Sequence, residues 1–261
     1  THHLVSIDEA GSKAYINGVL VGTKAQSGFY ASKVAQYTAG RSAIGKHWWG
    51  NGSASSTRYT GKVDDVRIYS RALSATEVSQ LYTSEASQTG LIAYYPFSGN
   101  ADDASGNGRH GIVSGATLTT DRNGTADHAY NFNASNHGIS IADGTSSLAP
   151  ASLTASCWVY WNGTYEARSG GASGMILYKG KYEPFPHMAY SLAIDENEGG
   201  KLVARSDSAG FGASGGAPPH NFLVSNSPVP VNTWLHCLLT VDNESKTAKL
   251  YINGALNSSK I

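Results

Sequence analysis

A chain of 261 residues with 19 Lys+Arg against 19 Asp+Glu is formally neutral, and only 15% of it is charged. Such a surface has no basic footprint for nucleic acid or an anionic membrane. Its longest apolar runs, such as LIAYYPF and WLHCLLTV, fall well short of the roughly 20 residues that a membrane-spanning helix requires. The 30 glycines, set among abundant Ser, Asn, Thr and Tyr, suit a turn-rich all-β chain. The length allows either one large β-domain or two small ones.

The chain opens with a phrase that it repeats near its end. Leu4–Gly18 reads LVSIDEAGSKAYING and Leu238–Gly254 reads LLTVDNESKTAKLYING, the second copy carrying a two-residue insertion. Repeat units of this kind make the chain read as a window cut from a longer tandem array. Asn17-Gly18 and Asn253-Gly254 both supply the positive φ of a tight type I′ hairpin turn. Between them, period-2 segments bounded by Gly, Asn and Asp recur: VDDVRIY, LIAYYPF, GISIA, LTASCWVYW, GMILYKG, AYSLAID, KLVARSD and AKLYING. About a dozen short strands predict a sandwich of two antiparallel sheets. One helix signal interrupts them at SATEVSQLY, where Ser74 and Glu77 make a capping box. Val78, Leu81 and Tyr82 then share one face. Periodicity lapses at residues 85–89, which read as a linker, and resumes at Gly90.

Two long segments carry a family resemblance. YTGKVDDVRIYSRALSATEVSQLY (Tyr59–Tyr82) resembles the closing strand and helix of bacterial laminin-G-like domains, of the concanavalin A-like lectin/glucanase type. GLIAYYPFSGNADDASGNGRHGIV (Gly90–Val113) resembles their opening strand and loop. The resemblance implies an all-β, concanavalin A-like jelly-roll of two antiparallel sheets with one short helix. It also implies an inverted order. Residues 1–84 read as the C-terminal part of one unit and residues 90–261 as the N-terminal part of the next. Together they make one unit plus a surplus hairpin, so the pieces are expected to complete one jelly-roll within the chain or to complete neighbouring chains, leaving no open sheet edge.

The loop GNADDASGNGRHG (Gly99–Gly111) offers hard oxygen ligands on a glycine-rich path, the pattern that Ca²⁺ coordination uses. The resemblance implies a structural calcium where the opening loop meets the closing strand, with Asp103 and Asp64 as ligands and Asn107 beside them. Strict alternation puts Asp64 on the face of Val66 and Ile68, toward the core, where a carboxylate needs a partner. Without a cation, Asp103 would cap a turn and Asp64 would accept hydrogen bonds from backbone amides.

Exposed aromatic rings are the other expected ligand contacts, because sugar rings dock their apolar faces on them. Trp48 and Trp49 in KHWWGNG, and Tyr165 and Tyr182 near Trp161 and Tyr178, are the candidates. Trp158 and Trp234, inside apolar strands, are expected in the core. Catalysis has no visible machinery. Related glucanases carry carboxylates at alternate strand positions, and the nearest text here, Asp195-Glu196-Asn197-Glu198, reads as a solvated hairpin turn. Cys157 and Cys237 both lie in strand-like text and are either buried thiols or one bridge.

The expected protein is therefore a non-catalytic module of a repetitive extracellular or cell-surface protein, binding a glycan or cell-surface polysaccharide in an adhesive role. The alternative is a structural subunit that self-associates into a fibre by strand exchange between offset half-units. A glycoside hydrolase is the least favoured reading.

Overall fold

A computed structural model of the chain describes residues 3–8, 11–16, 19–24, 41–46, 59–74, 76–78, 89–134, 136–142, 148–164, 173–181, 187–205 and 222–260. In chain order the strands begin with β1 (His3–Asp8), β2 (Gly11–Ile16), β3 (Val19–Lys24), β4 (Arg41–Ile44), β5 (Gly61–Tyr69) and β6 (Leu91–Tyr95). Next come β7 (Gly111–Ser114), β8 (Thr117–Thr119), β9 (Ala129–Phe132), β10 (Gly138–Ile141), β11 (Leu153–Trp161) and β12 (Ser173–Lys181). The last are β13 (His187–Asp195), β14 (Lys201–Arg205), β15 (Phe222–Pro228), β16 (Trp234–Asp242), β17 (Thr247–Ile252) and β18 (Ala255–Lys260).

Two large antiparallel sheets make the sandwich. One runs β15-β14-β13-β12-β4-β10-β7 and the other β18-β17-β16-β11-β5-β9-β8, with β6 also paired to β5. The order places β4 and β5, both from before residue 84, in the interior of sheets otherwise built from residues after 90. Their central position follows from composition. Val63, Val66 and Ile68 of β5 and Ile44 of β4 are all buried in the core between the sheets, which is favourable at about 25 cal/mol per Å² of apolar surface removed from water. One edge of the sandwich is clipped shut, as the Asn226 N–H donates to Asn257 Oδ1 at 3.0 Å and its Nδ2 to the Asn257 carbonyl at 2.9 Å.

The repeated hairpins fold alike but are placed differently. β16–β18 belong to the eight-stranded sheet, whereas β1, β2 and β3 form a three-stranded sheet of their own. Leu4 faces Tyr15 as Leu238 faces Tyr251, and Asp8 faces Gly11 as Asp242 faces Thr247. Even the irregularity in the second ladder recurs, between Ala14 and Tyr15 and between Leu250 and Tyr251. The turn at Asn253 (φ 49°) and Gly254 (φ 77°) has the two positive φ values of type I′. The surplus hairpin is thus the N-terminal one.

The capping box forms at the short helix, whose residues 76–78 are helical. The Glu77 N–H donates to Ser74 Oγ at 3.3 Å and the Ser74 N–H to Glu77 Oε2 at 2.9 Å. Both Glu77 oxygens also accept from the Arg71 guanidinium, at 3.0 and 2.6 Å. Those hydrogen bonds hold the Glu77 carboxyl down to about 2. A lowered carboxyl stabilises the fold above its unfolded value of 4.5, and that contribution disappears as pH falls through about 2. Glu77→Gln is therefore expected to lower unfolding free energy by about 1 kcal/mol at pH 7 and by much less at pH 2, in urea melts. Behind the cap, Val78 joins Tyr69, Leu73, Leu91, Leu238 and Tyr251 in a second apolar cluster.

Cys157 and Cys237 are directly opposed across β11 and β16, fully buried, and free, with sulfurs 3.7 Å apart. Burial pushes the Cys157 thiol up, so it is a packing group here rather than a nucleophile.

Candidate functional site

The outer face of the eight-stranded sheet, turned away from the sandwich core, carries the candidate site. Along β11 the inward set is Leu153, Ala155, Cys157, Val159 and Trp161, all in the core. The intervening set, Thr154, Ser156, Trp158 and Tyr160, faces outward. On β16, Leu235, Cys237, Leu239 and Val241 point inward, which sends Trp234 and His236 outward. Trp158 and Trp234, expected in the core, are half-buried on this outer face instead. Trp161 and Tyr178, read as possible ring platforms, are buried.

Strand register lines these outward residues into ranks. Trp234 faces Tyr160, Tyr160 faces Lys62, Lys62 faces Asn131 and Asn131 faces Thr117. At about 4.8 Å per strand the rank runs roughly 19 Å across the sheet. Tyr160 and Trp234 meet edge to face with centroids 5.7 Å apart, and the Lys62 ammonium lies 4.9 Å from the Tyr160 ring centroid. Gly61 lets β5 approach closely here, since a Cβ would run into the Tyr160 carbonyl oxygen. All members except exposed Thr117 are half-buried. Rings, an amide, a hydroxyl and one cation on a flat face can stack and hydrogen-bond a polar ring compound; they hold no acid–base pair.

The next rank is His236, Trp158 and Asp64. Here β5 departs from strict alternation. Register passes from Arg67–Ser156 to Asp64–Trp158, so β5 carries one extra residue opposite β11. Asp65 takes the bulge with φ 54°, a conformation that Asp tolerates better than most residues. Val63 and Val66 both remain in the core, while Asp64 turns to the outer face beside Trp158. It does not lie on the face of Val66 and Ile68, and its partner is a guanidinium rather than backbone amides.

That guanidinium is Arg122, which bonds Asp64 Oδ2 and reaches Asp65 Oδ2 at 3.1 Å. It lies 4.8 Å over the Trp158 ring. Asp121 positions it by accepting from the N–H groups of Asn123 at 2.9 Å and Thr125 at 2.7 Å in a tight turn. Arg67 pairs with Asp65 at 3.0 Å and lies 4.5 Å over Tyr94. Burial pushes the Asp64 carboxyl up to about 7 against the pull of Arg122. Burial lowers the His236 imidazole to about 3, with Arg67 and Arg122 adding repulsion.

Asp103 and Asn107 serve a different loop. Asp103 Oδ1 accepts from the Tyr94 N–H at 3.0 Å and the Ser105 N–H at 2.9 Å, and Oδ2 from the Arg109 N–H at 3.0 Å. Burial alone would raise this carboxyl, but those donors outweigh it and hold it below the usual carboxylate value. Asn107 Nδ2 donates to the Ile92 carbonyl at 3.2 Å and Ser105 Oγ at 3.0 Å. Among the described residues no hydrogen bond or ion pair joins Asp64 to Asp103 or Asn107, and no group of three His, Cys, Asp or Glu is placed to hold a metal. With N–H donors already on these oxygens and a guanidinium against Asp64, the three residues do not fit a calcium ion.

Trp48, Trp49, Tyr165 and Tyr182 lie outside the described residues. At Asp195–Glu198 a turn joins β13 to β14, and Asp195 is buried against Arg205 at 2.9 Å. The signal that could have found this rank is the period-2 sorting of LTASCWVYW, in which Trp158 and Tyr160 share the face of Thr154 and Ser156 and alternate with the inward Ala155, Cys157 and Val159.

Two antiparallel sheets packed face to face make this a jelly-roll of the concanavalin A-like type. The profile of the concanavalin A-like lectin/glucanases superfamily matches residues 1–79 and 133–261, and the chain belongs to that family. No curated protein matches it. Among solved structures it is similar, at 14% identity and a TM-score of 0.20, to one described as a candidate carbohydrate-binding protein of Bacteroides ovatus. That alignment covers 78% of this chain and 62% of the other, so this chain spans less than two thirds of it. No described helix is long and apolar enough to cross a membrane.

Proposed function

We propose that this chain is a non-catalytic carbohydrate-binding module, displayed outside the cell or on its surface, that takes a glycan across the outer face of its eight-stranded sheet. The observation that carries this reading is the register-aligned rank Trp234, Tyr160, Lys62, Asn131 and Thr117. Two half-buried rings supply apolar surface for a sugar, and the amide and hydroxyl beside them can supply directional hydrogen bonds. The test is a glycan array followed by calorimetry on the best ligand. Trp234→Ala and Tyr160→Ala should each weaken binding about tenfold or more with unchanged circular dichroism. Failure of the wild-type chain to bind any glycan, or binding indifferent to both substitutions, would sink the proposal. Loss on Trp48→Ala or Trp49→Ala alone would move the site to those two residues.

A second reading, a fibre subunit assembled by strand exchange, is favoured by one observation: β1–β3 reproduce the register of β16–β18, irregularity included. It requires self-association at micromolar concentration that disappears when residues 1–24 are removed, as read by light scattering. A monomer in both forms would dismiss it.

A further inference from the structure

β5 changes its second neighbour partway along. β9 pairs with Gly61 to Val63 and β6 with Val66 to Tyr69, so Asp64 and Asp65 fall where neither strand reaches. Both carboxylates are nearly closed off from water, with side-chain exposures of 3% and 8%. Two buried carboxyls side by side can ionise together only with compensating positive charge. The concanavalin A-like resemblance supplies a calcium ion for Asp64; this chain supplies arginine.

We infer that Arg122 is the built-in cation of the split edge of β5, tying the turn after β8 to Asp64 and Asp65 and making the fold independent of calcium. The guanidinium suits the task in ways an ion does not. Its planar fork bonds Asp64 with one nitrogen and Asp65 with another, while its face rests on Trp158. It is charged at any relevant pH and more weakly hydrated than an ammonium group. With Arg67 on Asp65 as well, two cations meet two anions, and a divalent ion entering there would be repelled by both guanidinium groups. Calcium also wants six to eight oxygens, roughly, whereas Asp64 Oδ2 and Asp65 Oδ2 already accept from the Arg122 guanidinium and Arg67 is ion-paired with Asp65 Oδ1 at 3.0 Å.

The intact chain tests this by thermal melting in chelator and in millimolar CaCl₂, with Tb³⁺ luminescence as a direct probe of the ion. The wild-type midpoint should be the same in both, with no Tb³⁺ signal above a control lacking protein. A midpoint that falls in chelator or rises with calcium would overturn the inference. Arg122→Gln should lower the midpoint, and adding Asp64→Asn and Asp65→Asn to it should restore part of the loss, because the stranded charges are gone. Asn keeps the positive φ at residue 65 accessible. An Arg122→Gln midpoint equal to wild type, or no recovery in the triple variant, would show that Arg122 acts by packing alone and overturn the inference. Should Arg122→Gln fail to fold, Arg122→Lys still decides, since it keeps the charge without the fork or the stack. Its midpoint should lie below wild type and remain insensitive to calcium, and calcium sensitivity there would count against the inference.

Discussion

Removing residues 1–24 should leave the thermal and urea transitions of this chain nearly unchanged, whereas ending it before Trp234 should abolish cooperative unfolding. Two copies of one hairpin compete for one position beside β11, and they are not equal in what they would bury there. The copy in place contributes Leu235, Cys237, Leu239, Val241, Ala248 and Leu250 to the core. Aligned by its register, the first copy would bring His3 for Cys237, Val5 for Leu239, Ser12 for Ala248 and Ala14 for Leu250. A Leu-to-Ala exchange in a core costs about 2–5 kcal/mol, and a buried, unpartnered imidazole or hydroxyl adds roughly 1–3 kcal/mol more. That deficit rivals the whole stability of an ordinary domain, about 5–15 kcal/mol. Melts of the two truncations followed by tryptophan fluorescence check this. A cooperative transition with undiminished midpoint in the chain that ends at residue 233 would mean that β1–β3 can stand in.

Between pH 7 and pH 4, His236 and Asp64 should pull stability in opposite directions by about 3 kcal/mol each. Both flank Trp158, His236 with ring centroids 5.2 Å away and Asp64 at the paired position of β5. His236 is held down to about 3 from 6.5, so its contribution is full above 6.5 and is lost as acid protonates the unfolded chain but not the folded one. Asp64 is raised to about 7 from 3.8, so its contribution is full below 3.8 and is lost as pH rises through about 7. Over the shared range the two nearly cancel. His236→Gln should therefore gain stability relative to wild type as pH falls from 7 to 4, and Asp64→Asn should lose it, in urea melts at matched ionic strength. The charged groups facing this pair are Arg122, Arg67, Asp65 and Asp121, and none is altered by either substitution. Parallel pH profiles for wild type and both variants would refute the cancellation.

Local text carried much of the fold. Period-2 segments such as VDDVRIY and WLHCLLTV became β5 and β16, Ser74 and Glu77 made the expected cap, and Asn253-Gly254 made the expected turn. The site was harder to read for two separate reasons. Trp158 and Trp234 look like core by residue type, yet Trp158 shares the face of Thr154 and Ser156 and alternates with the inward Cys157 and Val159, and Trp234 precedes the inward Leu235, which sets both outside. Asp64 misleads strict alternation, because the bulge at Asp65 moves it to the other face by one residue. Arg122 sits 58 residues from Asp64, and no local pattern links the two.

The sequence by itself determined the strand content, the turns, the helix cap and the fact of duplication, since each depends on residues within a few positions of one another. Tertiary structure alone decided which hairpin copy joins the sheet, which face carries Trp158 and Tyr160, and what neutralises Asp64. Those outcomes rest on core volume, register and buried charge, which are properties of contacts between distant strands.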